Sequence, residues 1–439
     1  MKKLVFASVM ALASLSLVFA PTLRAQDLSI KDPAEYNAYQ MATTQSDPKA
    51  KASALEDFLV KYPQSVAKKI VLDALLDTYQ GLSDGDHALS AASRLLQLDP
   101  VNMKAVYISV VIKKAQCGKT QDAQTCDDSA ILAQKGLATP KPAGTSDDDW
   151  KKLTGATYPV YHSAIALDDA ISKKDLKAAE AEYTAELMLY TDVQSQTAGL
   201  PDTLQLATAY SLPGAGQDLV KAVWFFARVW DFAPGPYKTQ IEPKLEYYYK
   251  KYHGKLDGLD AIKTQAMTTT FPPGTFVIPP APTAAEQIHA MLTDPTTDKS
   301  KLALSDKETI LALGSKDDAE TIWAVMKDQA TPVPGVVLEA TSSVIKVAVT
   351  QDAKDAKTPD FIVNLKTPLA DKDIPAVGFE FKLQPATELD GTYDTYTQIP
   401  ATATMAQTAQ IVLRDGVIVP EKKKVVPHKP TPARKPASH

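Results

Sequence analysis

From Pro33 to about Met267, apolar residues recur three and four positions apart, the spacing that gathers side chains on one face of an α-helix. Polar breakers cut this pattern into about six helical pairs. Residues 34–42 pair with 49–61, where Tyr62-Pro63 stops the helix, and 66–80 pair with 86–98 across Ser83-Asp84-Gly85-Asp86. Residues 103–115 pair with 127–135, 150–172 with 175–190, 202–211 with 217–232, and 241–253 with 256–267. The stretch 269–283, with Phe271-Pro272-Pro273-Gly274, cannot continue a helix and is expected as an extended linker. Three short helices follow within 284–330, at 284–292, 306–313 and 317–327. After Thr331 the period changes to two. Strands are expected at 336–338, 344–349, 361–365, 378–383 and 409–413, with Asp415-Gly416 as a hairpin turn before Val417-Ile418-Val419. The pattern predicts a small antiparallel β-barrel over 331–420.

Lys69 to Asn102 carries the most regular pair. Leu72, Leu75, Leu76 and Tyr79 share a face of its first helix, and Ala88, Ala92 and Leu95 line the second before Pro100. The spacing of Ala88, Ala92, Leu95 and Pro100 returns in Ala222, Phe226, Val229 and Pro234, and the helix before them has Leu206-Ala207 and Tyr210. These positions resemble the tetratricopeptide (TPR) family. Leu76 departs from it, since the family prefers a small residue there. The resemblance implies a mainly α solenoid over 26–268, in which each unit buries its apolar face on its neighbours. It also implies a groove lined by the first helix of each pair, with Asp73, Asp77 and Gln80 on that surface in one repeat and Thr208 and Ser211 in a later one. A groove offering acids does not suit a peptide carboxylate and favours a neutral or basic partner.

A second resemblance covers roughly residues 334–420. Gly391-Thr392-Tyr393-Asp394-Thr395-Tyr396, followed by a Pro and Ile411-Val412-Leu413-Arg414-Asp415-Gly416, looks like the end of exported OB-fold domains of the tRNA-anti-like type. Residues 403–408 look inserted relative to that pattern.

Charge is unevenly spread. The whole chain carries −5, residues 421–439 carry +5 (six Lys/Arg, one Glu) and residues 1–25 carry +3, so 26–420 carry −13. An acidic body argues against nucleic acid as a partner. The chain opens as an export signal. Lys2-Lys3 precede an apolar run over 4–20, and Leu23-Arg24-Ala25 offers a cleavage site before Gln26. No other run approaches bilayer-spanning length, so a periplasmic or secreted chain without a transmembrane segment is expected. Residues 421–439, rich in Lys, Pro and Ala, are expected to be disordered, as a solubilising tail or as a contact for anionic envelope polymer or membrane. In an oxidising compartment Cys117 and Cys126, on either side of a polar loop, read as a structural disulfide.

Chemistry-bearing motifs are sparse. There is no phosphate-binding loop, no Gly-x-Ser-x-Gly elbow and no His-Glu-x-x-His, and the histidines at 87, 162, 253, 289, 428 and 439 are scattered. Asp147-Asp148-Asp149 sits where a helix cap is expected, and Asp168-Asp169 are neighbours that cannot face one another on a helix. No catalytic residue, metal ligand or cofactor is expected. The aromatic cluster from Trp224 to Tyr252 is mostly core, but Tyr247-Tyr248-Tyr249 are consecutive, so at least one ring must leave it. The expected function is a non-enzymatic, exported protein-interaction scaffold of the bacterial envelope. The alternative is a module that binds carbohydrate or peptidoglycan on exposed aromatics or on the barrel face.

Overall fold

A computed structural model describes residues 30–402 and 406–421. The proposed export signal and almost all of the basic tail lie outside them, as does part of the stretch 403–408. The chain divides into two compact units between Ala281 and Pro282.

The first unit is a succession of helices, each packed mainly on the next. They are α1 Pro33–Thr43, α2 Pro48–Lys61, α3 Lys68–Gly81, α4 Gly85–Leu98, α5 Met103–Thr120, α6 Ala123–Leu137, α7 Asp147–Ile171 and α8 Leu176–Leu189. After them come the single turn α9 Asp192–Ser195, then α10 Leu200–Ser211, α11 Leu219–Phe232, α12 Gly235–His253 and α13 Leu259–Ala266. Short polar side chains start most of them by accepting an otherwise unpaired backbone N–H, among them Asp47, Asp84, Asn102, Asp122, Ser146, Asp175 and Asp218. Ser146 caps α7, which puts Asp147, Asp148 and Asp149 in its first turn, where the helix dipole favours acids. The repeat positions read from the sequence face inward: Leu72, Leu75, Leu76, Ala88, Ala92, Leu95, Leu206, Ala207, Ala222, Phe226 and Val229 are buried. Leu76 is as buried as its neighbours, so the larger residue is accommodated. None of the described helices is long and apolar enough to cross a membrane.

Several boundaries differ from expectation. α5 and α6 extend towards each other until only Gln121 and Asp122 separate them, with Gln121 left-handed at φ 56°. Cys117 and Cys126 therefore lie inside the two helices, buried and bonded to each other, rather than bracketing a loop. α12 begins at Gly235, six residues before the expected start at 241, because its internal Pro243 hides the continuity. The stretch 269–283 has no regular structure, but its residues up to Ala281 are no free linker. Ile278 is buried, and Phe271 and Phe276 meet Phe225 and Trp224 edge-on at 6.0 and 4.7 Å. The Ala281 N–H donates to the Tyr252 carbonyl.

The second unit packs α14 Ala284–Thr293, α15 Leu304–Leu313 and α16 Lys316–Met326 on a seven-stranded curled sheet. The strands are β1 Ala330–Pro332, β2 Gly335–Ala340, β3 Val344–Ala348, β4 Phe361–Leu365, β5 Glu380–Phe381, β6 Glu388–Ile399 and β7 Thr408–Val419, with the short α17 Gln351–Ala356 between β3 and β4. Their order is β1-β6-β7-β4-β3-β2-β5. Only Val333 and Pro334 separate β1 from β2, and Val333 still donates to Leu389 on β6. One segment, 330–340, thus borders β6 with its first half and β3 with its second, and this curls the sheet. Two strand expectations are corrected. The sheet is not wholly antiparallel, since β4 and β7 run parallel. Asp415-Gly416 is not a hairpin turn but an irregularity inside continuous β7. Asp415 adopts φ 57°, and a Cβ on Gly416 would lie 2.5 Å from Val363 Cγ1, so close approach of β4 explains the glycine. The expected strand 378–383 shrinks to Glu380–Phe381.

Candidate functional site

The residues expected on the groove come from α3 and α10, the first helices of their pairs. Asp73 and Asp77 lie one turn apart on α3, but they are not free carboxylates. Lys104, from the next first helix α5, reaches both, at 3.2 Å and 2.5 Å. The Lys104 side chain is only 13% exposed, whereas Asp77 is open to solvent and Asp73 and Gln80 are half-buried. This cation leaves no mark in the local pattern, because it lies 27 residues beyond Asp77 in sequence and meets the acids only when consecutive pairs stack. The acid surface there is partly neutralised.

The later repeat is more distinctive. Thr208 and Ser211 of α10, Phe226 of α11, and Pro243, Lys244, Tyr247 and Tyr248 of α12 line a cavity of about 410 Å³ with mostly apolar walls. α10 and α12 are the first helices of consecutive pairs, as α3 and α5 are. Successive residues on a helix point about 100° apart, which sorts the three tyrosines. Tyr249 is buried, and its hydroxyl donates to the Asp257 carbonyl at 2.6 Å. Tyr248 stacks on Phe226 at 5.5 Å, with the ring planes 3° apart. Tyr247 is 60% exposed and meets Tyr248 edge-on. The ring expected to leave the core is therefore Tyr247. Ser211 is buried rather than displayed on a surface, and its hydroxyl donates to Thr208 O while the Thr208 hydroxyl donates to Leu204 O. Both hydroxyl protons are committed to the backbone, so the cavity offers aromatic faces and the Lys244 ammonium as its principal recognition elements.

Two buried polar knots flank this region and carried no signal in the sequence. Arg228, on the apolar helix α11, is fully buried. It donates to the carbonyls of Ala266 and Thr269, to Ser195 Oγ and to Asp192 Oδ1, all at 2.8–2.9 Å, binding α9, α11 and the end of α13 together. The second knot joins α5, α7, α8 and α10. Asp202 Oδ2 accepts from Ser163 at 2.7 Å and pairs with Lys114 at 3.3 Å. Burial, and then the Asp202 carboxylate, hold the neighbouring Glu186 carboxyl well above the usual range. Burial alone pushes the nearby Tyr107 hydroxyl up to about 12.

Of the histidines that the structure describes, His162 pairs with Glu182, His87 with Asp84 and His289 with Asp318, while His253 meets the Pro279 carbonyl. Among the described residues no group of three His, Cys, Asp or Glu side chains is placed to hold a metal.

No protein-family profile and no curated protein matches the chain. Among solved structures, the crystal structure of PilW, a widely conserved type IV pilus biogenesis factor, is similar to 50% of this chain over 93% of its own length, with 18% identity and a TM-score of 0.29. At that TM-score the likeness carries no argument, and the helical-pair architecture rests on the geometry described above.

Proposed function

We propose that this protein is an exported, TPR-like scaffold that binds a protein partner in extended form along the first helices of its pairs. The carrying observation is the aromatic cavity between α10 and α12, with one ring fully committed to the core, one to its wall and Tyr247 to solvent. A stacked array supplies a continuous surface, and an exposed aromatic beside an apolar pocket is the usual anchor for a partner side chain. Asp73, Asp77 and Gln80 extend this surface in the earlier repeat, and the pairing of the two acids with Lys104 leaves it weakly acidic, which suits a neutral or basic partner. The buried Cys117–Cys126 bond supports an oxidising compartment, in keeping with the export signal read at the start of the chain. For the second unit, the segment shared between β6 and β3 and the parallel β4–β7 pair support the OB-type reading.

Carbohydrate or peptidoglycan binding is the second reading, favoured by the exposed ring of Tyr247. The hydroxyls of Thr208 and Ser211 weigh against it, since both donate to the backbone. The test is a peptide array rich in aromatic, proline and basic sequences, probed with wild type and with Tyr247→Ala and Lys244→Glu, beside a titration with muropeptides and chitooligosaccharides. Peptide binding lost in Tyr247→Ala at unchanged melting temperature supports the scaffold. Saccharide binding with no peptide binding replaces it with the second reading.

A further inference from the structure

A second cavity of about 410 Å³ lies at the C-terminal end of α10, lined by Ala209 and Leu212, the start of α8 and the loop 213–217. It shares no lining residue with the aromatic cavity. One of its lining side chains is Glu180, which is only 7% exposed, and whose Oε1 is buried with no hydrogen-bond partner. Such an acceptor is costly: a carboxylate taken from water needs donors, and leaving it without them forfeits most of its solvation. On the loop side Leu212, Pro213, Gly214, Ala215 and Gly216 have no side-chain donor, and the amide of Gln217 donates to the Ser211 carbonyl at 3.2 Å. Gly216 lies directly against the carboxylate, and a Cβ there would stand 2.5 Å from Oε1 and 2.8 Å from Oε2. The glycine lets the loop approach the acid.

Nearby charges do not resolve the deficit. Lys221 is engaged by Asp218 at 3.2 Å and lies over the Tyr210 ring at 5.1 Å. Asp175 spends one oxygen capping α8 at Ala178. Lys174 and Lys177 line the cavity but are exposed, and neither forms an ion pair with Glu180. Burial raises the Glu180 carboxyl above its usual range, opposed by Lys221 and Lys177 and reinforced by Asp218 and Asp175. What the Glu180 carboxylate lacks is a positively charged donor within reach, in a cavity too large to be filled by one water molecule.

We infer that this cavity receives a cationic side chain, the ammonium of a lysine or the guanidinium of an arginine from a protein partner, on the carboxylate of Glu180. The proposal rests on the scaffold reading only in taking the ligand to be a protein. An incoming cation would supply the missing donors and hold Glu180 ionised in a setting where solvent screens weakly. Guanidinium presents donors in a planar fork and ammonium presents a compact charge, so the two sources are separable by experiment.

The test follows amide shifts of the full chain during titration with Ac-Ala-Arg-Ala-NH2, Ac-Ala-Lys-Ala-NH2 and the neutral isostere Ac-Ala-citrulline-Ala-NH2. The arginine or lysine peptide is expected to shift residues 176–180 and 212–217, with citrulline at least tenfold weaker. Glu180→Gln should lose at least tenfold in affinity for the cationic peptide. Gly216→Ala, which fills the space beside the carboxylate, should do the same from the opposite wall. Folding of each variant is checked by its melting curve, and the two changes lie on different elements. Equal shifts by citrulline, unchanged affinity in both variants, or no shifts at millimolar peptide overturns the proposal. Tyr247→Ala should bind the cationic peptide as wild type does, so failure of this site and failure of the aromatic cavity are read separately.

Discussion

The helical unit contains two cores built on different chemistry. The first, from α1 to the middle of α7, is mainly aliphatic: Leu55, Leu72, Leu75, Leu76, Leu95 and Val106 interleave with Ala88, Ala91, Ala92 and Ala133, and its buried rings, Phe58, Tyr79, Tyr107 and Tyr161, are spread along it. The second, from the end of α7 to Ile278, is aromatic, centred on Tyr183, Trp224, Phe225 and Phe226. Every buried charged side chain described in this unit, namely Asp168, Asp169, Glu180, Glu186, Asp202 and Arg228, lies in the second stretch. Both cavities lie there as well. Alternating large and small aliphatics pack tightly and leave no polar obligations. Large rings on helices of unequal length leave gaps, and buried ions hold the pieces in register. The cavities proposed above to bind a partner thus fall in the less regular of the two cores.

The contrast can be broken by substitution. The largest effect is expected at Arg228. Arg228→Ala strips donors from two carbonyls, Ser195 and Asp192 at once, and should cost about 3–5 kcal/mol in denaturant unfolding. A loss under about 1 kcal/mol would show that the aromatic core does not depend on its buried ion. In the aliphatic core Leu75→Ala should cost about 3 kcal/mol, from lost transfer free energy and the cavity left behind. Reduction of Cys117–Cys126 should cost about 2–3 kcal/mol by the loop-entropy argument, and the melting temperature should fall with added dithiothreitol. Identical melting curves with and without reductant would remove the cross-link as a stabiliser of the first core.

Two smaller effects sharpen the electrostatics. Glu186 binds its proton more tightly folded than unfolded, so its contribution favours the folded state at low pH. That contribution is lost as pH rises from the ordinary carboxylate range towards the folded value. Glu186→Gln mimics the protonated acid. It should raise the melting temperature at about pH 8 and leave it nearly unchanged at about pH 4. A fall at both would mean that the ionised carboxylate is what the knot requires. Finally, Asp73→Asn with Asp77→Asn should cost about 1 kcal/mol or less, since both acids reach water and only the Lys104 pairing is lost. A larger loss would move this surface from the binding face into the core.

The two cores also differed in how far they could be read from the sequence. Lys69 to Asn102 was legible because its determinants are local: caps, breakers and a helical period fall within one pair. Lys104 was not, because its partnership with Asp73 and Asp77 exists only between stacked pairs. Arg228 lies in the apolar run Val223 to Phe232, where a charge would ordinarily point outward, and only the fold shows it turned in. In the second unit β3 and β4 were legible from alternation. The parallel β4–β7 pair was not, because strand direction is set by topology and leaves no mark on the period. Asp415-Gly416 carries the residues of a hairpin turn, but they serve the left-handed Asp415 and the close approach of β4 to Gly416, and the sequence does not distinguish the two uses. Of the candidate surface, Thr208 and Ser211 did fall beside a cavity, but the residues that give it character, Phe226, Tyr247 and Tyr248, come from neighbouring helices.

The run of three tyrosines on α12 has a consequence for how such a protein can change over generations. Tyr249, like Leu245, is locked into the interior, so alteration there threatens folding and is purged. Tyr247 lies two residues away with most of its ring outside, and Lys244 is also partly outside. Under the proposed function, alteration at either would change what the cavity recognises with little cost to folding. On that reading, descendants of this chain would drift towards new partners by single steps along one edge of α12 while the opposite edge stays fixed. Binding preference becomes a variable carried on a constant frame.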